Sequence, residues 1–342
     1  MVLLKILLVT LRLLAVKLFV SLFLLLPILS VGQIFTEDSL TTRLVNGGSM
    51  PAEILSSRSV VLHSHTLTAK EIALVHENFV RTGIDAIAYF ETDAVLAGSD
   101  VASAYSQYFT RREISNLIIV QKSLSGFGIY ITPFNGKEDF VHVNQSGWHV
   151  QNPSLHEALT TIYRTALASN KKKNFLINEF PEINLPVRIL TGQRYETFAY
   201  DLKADKLAIP NFNDTTLDNE LKEFFKGYPF RHEIVNHSIP DKELRNKGFL
   251  YVLCFIHTRG STAKELLDYG ISKSESAFVS VTHPNGQVQL KNIPADSLVF
   301  KYYVRHIDSG NVYLGTQWDA DTTWQQALQN FIKGFKTELK IN

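Results

Sequence analysis

The chain repeats one succession of predicted elements, and this repetition restricts its fold more than any other feature of the sequence. Periodic apolar residues predict the order β-α-β-α-β-β-β-α over residues 57–169 and again over residues 195–340. Strands that are joined through helices are expected to be parallel, with right-handed crossovers. The last strands of each copy follow one another without a helix, so we expect antiparallel hairpins there. The sequence therefore predicts an α/β fold with a mixed sheet, in two tandem copies.

Alternating and helical periodicities place the individual elements of each copy. In the first copy, strands are predicted at residues 59–62, 84–90, 117–121, 128–134 and 140–143, and helices at 68–81, 100–112 and 154–168. In the second copy, six strands rather than five are predicted, at residues 197–202, 230–235, 249–256, 277–282, 298–306 and 311–317, and helices at 217–226, from 240 onward and at 323–339. Residues 258–275 have no counterpart in the first copy and are interpreted as an insertion.

Three local similarities favour an internal duplication. An Asn-Gly pair, which is a strong hairpin signal, follows a predicted strand in each copy, at residues 135–136 and 285–286. Trp148 and Trp318 each precede a predicted closing helix. Both closing helices carry an apolar stripe with i, i+3, i+4 and i+7 spacing. The alternative is that α/β chains with short elements align to themselves easily.

This order of elements is similar to that of the α/β domains of some periplasmic proteins, namely the amino-terminal domain of TolB and the curli-secretion lipoprotein family. The resemblance covers each copy once and concerns element order and compartment. The anchoring cysteine of the lipoproteins is missing from this chain, and no functional residue is carried over. The resemblance implies a non-catalytic envelope protein that acts by contacting other proteins.

The amino-terminal segment, residues 1–32, is typical of an export signal. It holds three cations and no acid, and the cations precede an uncharged apolar run at residues 18–30. We expect a secretory signal peptide that is cleaved near Gln33. The alternative is an uncleaved anchor, because neighbouring apolar residues could extend the run toward the ~20 residues that span a membrane. Either way the protein is expected to be exported, periplasmic or otherwise extracytoplasmic, and to meet the membrane only through this segment.

Charge and cysteine content restrict what the rest of the chain does. The formal net charge of +1 becomes −2 once the three cations of residues 1–32 are removed. A near-neutral body argues against nucleic-acid binding, which needs a basic face. Cys254 is the single cysteine, so the chain forms no intrachain disulfide and depends on packed cores. Cys254 lies in an apolar run and is interpreted as a buried strand residue, and no motif indicates a cofactor.

The segment between the copies, residues 170–194, is predicted to be an ordered but exposed linker. It contains three consecutive lysines and two prolines. Such a composition suits a connection that runs over the surface.

The most suggestive polar residues are His63 and His65, at the end of the first predicted strand. Alternate strand residues share a face, so the two imidazoles could hold one metal ion. Asp93 follows the second strand and Lys122 the third. Because α/β folds bind ligands at the carboxyl ends of parallel strands, these four residues are a candidate ligand site. The alternative is a pair of half-exposed histidines at the entrance of a loop.

The second copy has His257 and Arg259 at the corresponding point of its long apolar strand. Arg259, in a loop before a capped helix, could bind an anion. The alternative is an ordinary strand exit with a solvated arginine.

No sequence motif points to a specific reaction. The chain lacks the G-x-G-x-x-G, P-loop, G-x-S-x-G, H-E-x-x-H and C-x-x-C patterns. We therefore expect a non-enzymatic exported protein that binds another envelope protein or component. The alternative is an extracytoplasmic hydrolase or metal-dependent enzyme that uses His63 and His65.

Overall fold

The computed structural model describes one compact unit of the chain. The described residues are 40–169, 173–174, 176–185, 187–272 and 274–341. The predicted signal or anchor, residues 1–32, lies outside them. No helix in the described ranges is long and apolar enough to cross a membrane.

Fifteen strands are described, and most are short. They are β1 (Leu44–Asn46), β2 (Arg58–His63), β3 (Asp85–Glu91), β4 (Ile114–Ser123), β5 (Gly126–Pro133), β6 (Gln145–Asn152), β7 (Glu182–Ile183), β8 (Arg194–Tyr195), β9 (Lys206–Pro210), β10 (His232–Val235), β11 (Phe249–Arg259), β12 (Ala277–Thr282), β13 (Gln289–Pro294), β14 (Leu298–His306) and β15 (Val312–Tyr313).

Eight α-helices are described between these strands. They are α1 (Ala69–Thr82), α2 (Thr92–Val95), α3 (Ser99–Arg111), α4 (Leu155–Ser169), α5 (Thr215–Phe225), α6 (Asp241–Asn246), α7 (Gly260–Leu266) and α8 (Trp324–Glu338). Two short 3-10 helices lie at Tyr200–Lys203 and Pro284–Gly286.

Local sequence signals set the ends of the long helices. The Thr68 hydroxyl accepts the backbone N–H of Glu71 at 3.3 Å, and the Glu71 carboxylate accepts that of Thr68 at 2.7 Å. This reciprocal capping box fixes the start of α1. Gly83 ends α1 in the left-handed conformation, with φ of 102°. Thr323 caps α8 by accepting the backbone N–H of Gln326 at 3.3 Å.

The first sheet has seven strands in the order β1-β6-β5-β4-β2-β3-β7. The central strand β2 runs parallel to both β3 and β4. Strand β4 is antiparallel to β5, and β5 is antiparallel to β6. The two edge strands, β1 and β7, run parallel to their neighbours. This sheet is therefore mixed, as the element order predicts.

The second sheet has six strands in the order β10-β9-β11-β14-β15-β8. Here β9 runs parallel to both β10 and β11. Strand β11 is antiparallel to β14, and β14 is antiparallel to β15. The edge strand β8 runs parallel to β15.

The two sheets share one topology. Without β7, the first sheet reads β3-β2-β4-β5-β6-β1 from its other edge, and each pairing has the orientation of its counterpart in the second sheet. The predicted mixed α/β fold class is confirmed, with one large mixed sheet in each half of the chain. Below, residues 40–183 are the first half and residues 187–341 the second half.

Two predicted strands are wrong. Residues 140–143 form a loop, because Phe140 has a positive φ of 60°, which a strand does not allow. Residues 197–202 lead into a 3-10 helix, and the strand that occupies this place in the second sheet is β9. Both segments bury apolar side chains, including Phe140 and Leu202. A short apolar run in the sequence indicates that its residues are buried, but it does not distinguish a strand from another buried conformation.

The predicted strand at residues 277–282 forms, but it pairs with β13 in a separate two-stranded sheet. The extra segment between β11 and β14 therefore covers residues 260–297 rather than 258–275.

Two of the local similarities between the copies do not occupy equivalent places. The Asn-Gly pair at 285–286 lies between β12 and β13, whereas the pair at 135–136 follows β5, so the two pairs are not equivalent. Similarly, Trp148 lies within β6, while Trp318 follows β15. Periodicity identifies a strand but not its partner.

Each sheet has an outer core that its own helices cover. In the first half, α1 and α4 pack on the sheet through residues such as Phe79 and Leu159. In the second half, α5 and α8 do so through residues such as Phe225 and Leu328. All four side chains are at most 1% exposed.

The inner faces of the two sheets belong to a single third core. Val60 and Leu62 of β2 lie in it, whereas Val61 faces the outer core of its own half, as strand alternation requires. Ile256 of β11 belongs to the same inner core, together with residues of the middle helices α2, α3, α6 and α7. The two halves therefore share one continuous buried cluster, called the shared core below.

The segment between the halves is more than an exposed linker, in part contrary to prediction. Strand β7 extends the first sheet and β8 the second. Ile189 and Leu190, which lie between them, are buried in the shared core. The exposed lysine-rich part of the prediction falls mostly on residues 170–172, which lie outside the described residues.

Candidate functional site between the two sheets

The carboxyl ends of β2, β3 and β4 bring the predicted residues of the first half to one edge, called the rim below. The parallel register places His63 beside Glu91 of β3 and beside Val120 of β4. Asp93 follows β3 in the first turn of α2, and Lys122 lies near the end of β4. The expected grouping at the ends of parallel strands is therefore present.

Arg259 reaches the rim from the other half. Its Nε donates to Asp93 Oδ2 at 2.9 Å, and one of its terminal nitrogens forms an ion pair with Glu91. The hydroxyl of Thr258 donates to Asp93 Oδ2 at 3.4 Å. The side chains of Arg259, Asp93 and Glu91 are only 13%, 15% and 23% exposed. Two residues that were predicted separately thus form one ion-pair cluster across the halves.

Burial dominates the ionisation of this cluster. It raises the pKa of Asp93, an effect that His65 and the hydrogen bond from Thr258 partly offset. Burial also lowers the pKa of His63, and the nearby Arg259 charge lowers it further. Arg259 supplies the guanidinium that pairs with these two partly buried acids.

The two histidines of the predicted metal pair have different environments. His63 is 2% exposed, and its Nδ1 lies 2.9 Å from the carbonyl oxygen of Ser64. Its Nε2 is buried without a hydrogen-bond partner among the described residues. His65 is exposed. In the described part of the chain, no group of three His, Cys, Asp or Glu side chains is arranged to hold a metal ion.

Lys122 ties helix α1 to the rim. Its Nζ lies 2.7 and 2.9 Å from the two carboxylate oxygens of Glu71, the acid of the capping box. Burial alone would raise the pKa of Glu71, but the hydrogen bonds from Lys122 and Thr68, together with the Lys122 charge, outweigh it and the pKa is lowered. The backbone N–H of Lys122 donates to the Ser64 hydroxyl at 3.2 Å. These contacts give Lys122 a structural role at the rim.

His257 has a packing role in the second half. Its ring stacks on Phe300, with centroids 3.9 Å apart, and burial lowers its pKa to about 4. Its backbone N–H donates to the carbonyl of Ala97 at 2.6 Å. Strand β9 pairs with β11 only as far as Val252, so β9 does not cover the edge of β11 at His257. The first half covers that edge instead, through the carbonyl of Ala97.

A cleft of about 1010 Å³ lies between the halves, and sequence reasoning missed it. One wall is α3, where Ser99, Ser103, Gln107 and Arg111 recur every four residues and therefore share a helix face. The opposite wall includes the carboxyl ends of β9 and β10. This position follows the rule for ligand sites in α/β sheets. The rule for strand ends did not point to the cleft, because the first strand of the second copy was predicted at residues 197–202 and not at β9.

Charged groups fix one end of the cleft. The Arg305 guanidinium donates to Asp100 of α3 at 3.0 Å and to Asp241 of α6 at 2.7 and 3.1 Å. The Tyr303 hydroxyl also donates to Asp100, at 2.8 Å. Residues of both halves are thus joined here by a second, partly buried ion-pair cluster.

Other polar groups of the cleft remain available to a ligand. Among the described residues, the charged groups of Arg111 and Glu138 have no ion-pair partner within 4 Å, and both residues are exposed. Apolar residues, including Val235 and Leu244, form part of the lining. Polar and charged side chains make up much of the remainder, so the lining of the cleft is mixed.

Comparisons with protein-family models, with curated proteins and with solved structures found no match to this chain.

Replacing Arg259 with methionine should destabilise the protein by roughly 3 kcal/mol, because Asp93 and Glu91 would remain buried without their cation. Burial already raises the pKa of Asp93, and without that cation it rises further above its value in the unfolded chain. The native state then binds more protons, so the loss should be larger at pH 7 than at pH 4. Urea unfolding of the wild type and the variant at both pH values measures this loss in the free energy of unfolding.

The matched control is Arg58→Met, which removes an exposed ion pair with Glu113. Its effect should stay below about 1 kcal/mol. Equal effects of the two substitutions would show that the Arg259 cluster is not a buried ion pair.

Proposed function

We propose that this chain is a non-enzymatic exported protein that binds another envelope protein or component, and that the cleft is its binding site. The observation that carries the proposal is the cleft itself, about 1010 Å³ between the two halves at the carboxyl ends of β9 and β10. Its volume suits a small ligand or a peptide segment of a larger partner. Nucleic acid is an unsuitable partner for a near-neutral chain.

The chemistry of the cleft favours binding over a reaction. Its α3 wall offers two hydroxyls and one carboxamide, from Ser99, Ser103 and Gln107, which donate and accept hydrogen bonds at neutral pH. The acids Asp100 and Asp241 are held by Arg305. These groups can orient a polar partner, while the apolar lining contributes burial.

The amino-terminal segment supports export. We infer that residues 1–32 direct the chain out of the cytoplasm, either as a cleaved signal peptide or as a membrane anchor. The body is then periplasmic or otherwise extracytoplasmic. Its contact with the membrane is through that segment alone.

We further propose that the halves arose by internal duplication. The support is the identical strand order and orientation of the two six-strand sets. The similarity of this order to TolB-like and curli-secretion domains is likewise a proposal. It agrees with a role in contacting envelope proteins.

A photoreactive amino acid in place of Gln107, in the full chain in intact cells, should cross-link to one envelope component. Adding Ser103→Trp should fill the cleft and reduce that product roughly tenfold, a loss of about 1.4 kcal/mol in binding. The control places the photoreactive group at Lys70, which is exposed on α1 in the first half. Equal products from Gln107 and Lys70, or no effect of Ser103→Trp, would exclude the cleft.

The alternative is an extracytoplasmic hydrolase or other metal-dependent enzyme that acts at the rim. The observation in its favour is the buried Nε2 of His63, which has no partner among the described residues. Under the binding proposal, elemental analysis of the purified full chain should find no stoichiometric metal. A metal that is present in the wild type and lost in His63→Ala/His65→Ala would support the enzyme instead.

A further inference from the structure

The second half contains a hairpin that the first half lacks. Strands β12 and β13, residues 277–294, form a two-stranded sheet between β11 and β14. At the corresponding point of the first half, only residues 124–125 separate β4 from β5. These two strands are called the inserted hairpin below.

The inner face of the inserted hairpin is fixed to the second half. Phe278 and Ile293 are buried, and the Ser280 hydroxyl donates to the carbonyl of Ala320. The Nζ of Lys291 lies 2.7 Å from the carboxylate of Asp321. Lys291 is the only charged residue of the two strands, and it is engaged on this inner side.

The outer face of the inserted hairpin is apolar and open. Val279 is 54% exposed and Leu290 is 73% exposed, while Val288, just before β13, is 68% exposed. Alternation assigns Ala277, Val281 and Asn292 to the same face, which therefore carries no charge. Exposed apolar residues on one uncharged face favour contact with another surface.

One edge of the inserted hairpin is covered and the other is open. The backbone N–H of Val281 donates to the carbonyl of Trp318 at 2.8 Å, so it points away from β13. Val281 is paired with Leu290, and the two therefore do not exchange hydrogen bonds. It follows that the backbone N–H and C=O of Leu290, and of Asn292 two residues on, point away from β12.

We propose that the open edge of β13 pairs with β13 of a second copy of this chain, antiparallel, about a twofold axis beside Leu290. An extended backbone can pair with the outward N–H and C=O groups of a strand edge, which otherwise bond to water. A twofold interface needs a surface that is complementary to itself. The uncharged outer face fulfils this condition, because two copies meet without like-charge repulsion.

The geometry of such a pair supports a second copy. With the axis beside Leu290, this residue faces its own equivalent, and Val288 faces Asn292 of the partner subunit. The two hairpins then form one four-stranded sheet with a continuous apolar face. The charge of β13, on Lys291, lies on the inner side with Asp321 and therefore stays away from the outer face of the four-stranded sheet.

Cysteine cross-linking in the full chain, in intact cells, tests the pairing. Leu290→Cys should form a disulfide-linked dimer of twice the chain mass on a non-reducing gel, because facing residues of antiparallel strands lie about 5.5 Å apart at Cα. The matched control is Val279→Cys on β12, which is exposed on the same face but one strand farther from the axis. Cys254 is buried and does not interfere.

A second variant tests the pairing independently, in case the cysteine variant does not fold. Asn292→Pro removes an outward N–H without removing a hydrogen bond of the hairpin, and should convert a dimer into a monomer in sedimentation of the detergent-solubilised full chain. Leu124→Lys, at an exposed turn of the first half, should leave the dimer intact. A monomeric wild type, equal cross-linking at positions 279 and 290, or linkage of position 290 to a different polypeptide would overturn the proposal.

Discussion

Burial of the inner faces of both sheets in one shared core is the constraint on which the rest of the structure depends. Val60 of β2 and Ile256 of β11 are fully buried and belong to the same cluster, although one lies in each half. Four helices from the two halves lie in the layer between the sheets. Neither inner face is complete without the other half, because apolar residues of that half belong to the cluster that covers it.

The polar contacts between the halves follow from this packing. Arg259 meets the acids at the end of β3, and Arg305 meets Asp100 of α3. Charges that are removed from water must be paired, and the desolvation cost offsets most of the attraction between them. The apolar core therefore provides the stabilisation, while the ion pairs fix how the two halves meet. The cleft lies beside the Arg305 pair, at the edge of this contact.

Much of the secondary structure could be predicted from the sequence, because the signals are local. The apolar stripes of α1, α4 and α8 and the capping box at Thr68 correspond to observed elements. The two-residue strands β7 and β8 could not be predicted, since pairing rather than periodicity defines them. Likewise, the buried loop at Phe140 was mistaken for a strand, because burial and extended conformation give the same short apolar run.

The candidate site was predicted only in part. The rule for strand ends placed Asp93 and Arg259 at the edges of their own sheets, but nothing in their spacing showed that the two edges meet. Glu91 was missed because it is the last residue of β3 rather than part of a loop. The cleft combines helix α3 of one half with strand ends of the other. Its residues come together only through the shared core, which a sequence pattern does not specify.

Cooperative unfolding of the full chain tests the shared core most directly. In a W318F/W324F variant, the remaining Trp148 reports on the first half, and in a W148F/W324F variant, Trp318 reports on the second. If one core joins the halves, urea unfolding followed by fluorescence should give the same midpoint in both variants. Ile256→Ala should lower both midpoints together. Two separate midpoints, or a shift of the Trp318 transition alone, would contradict the account.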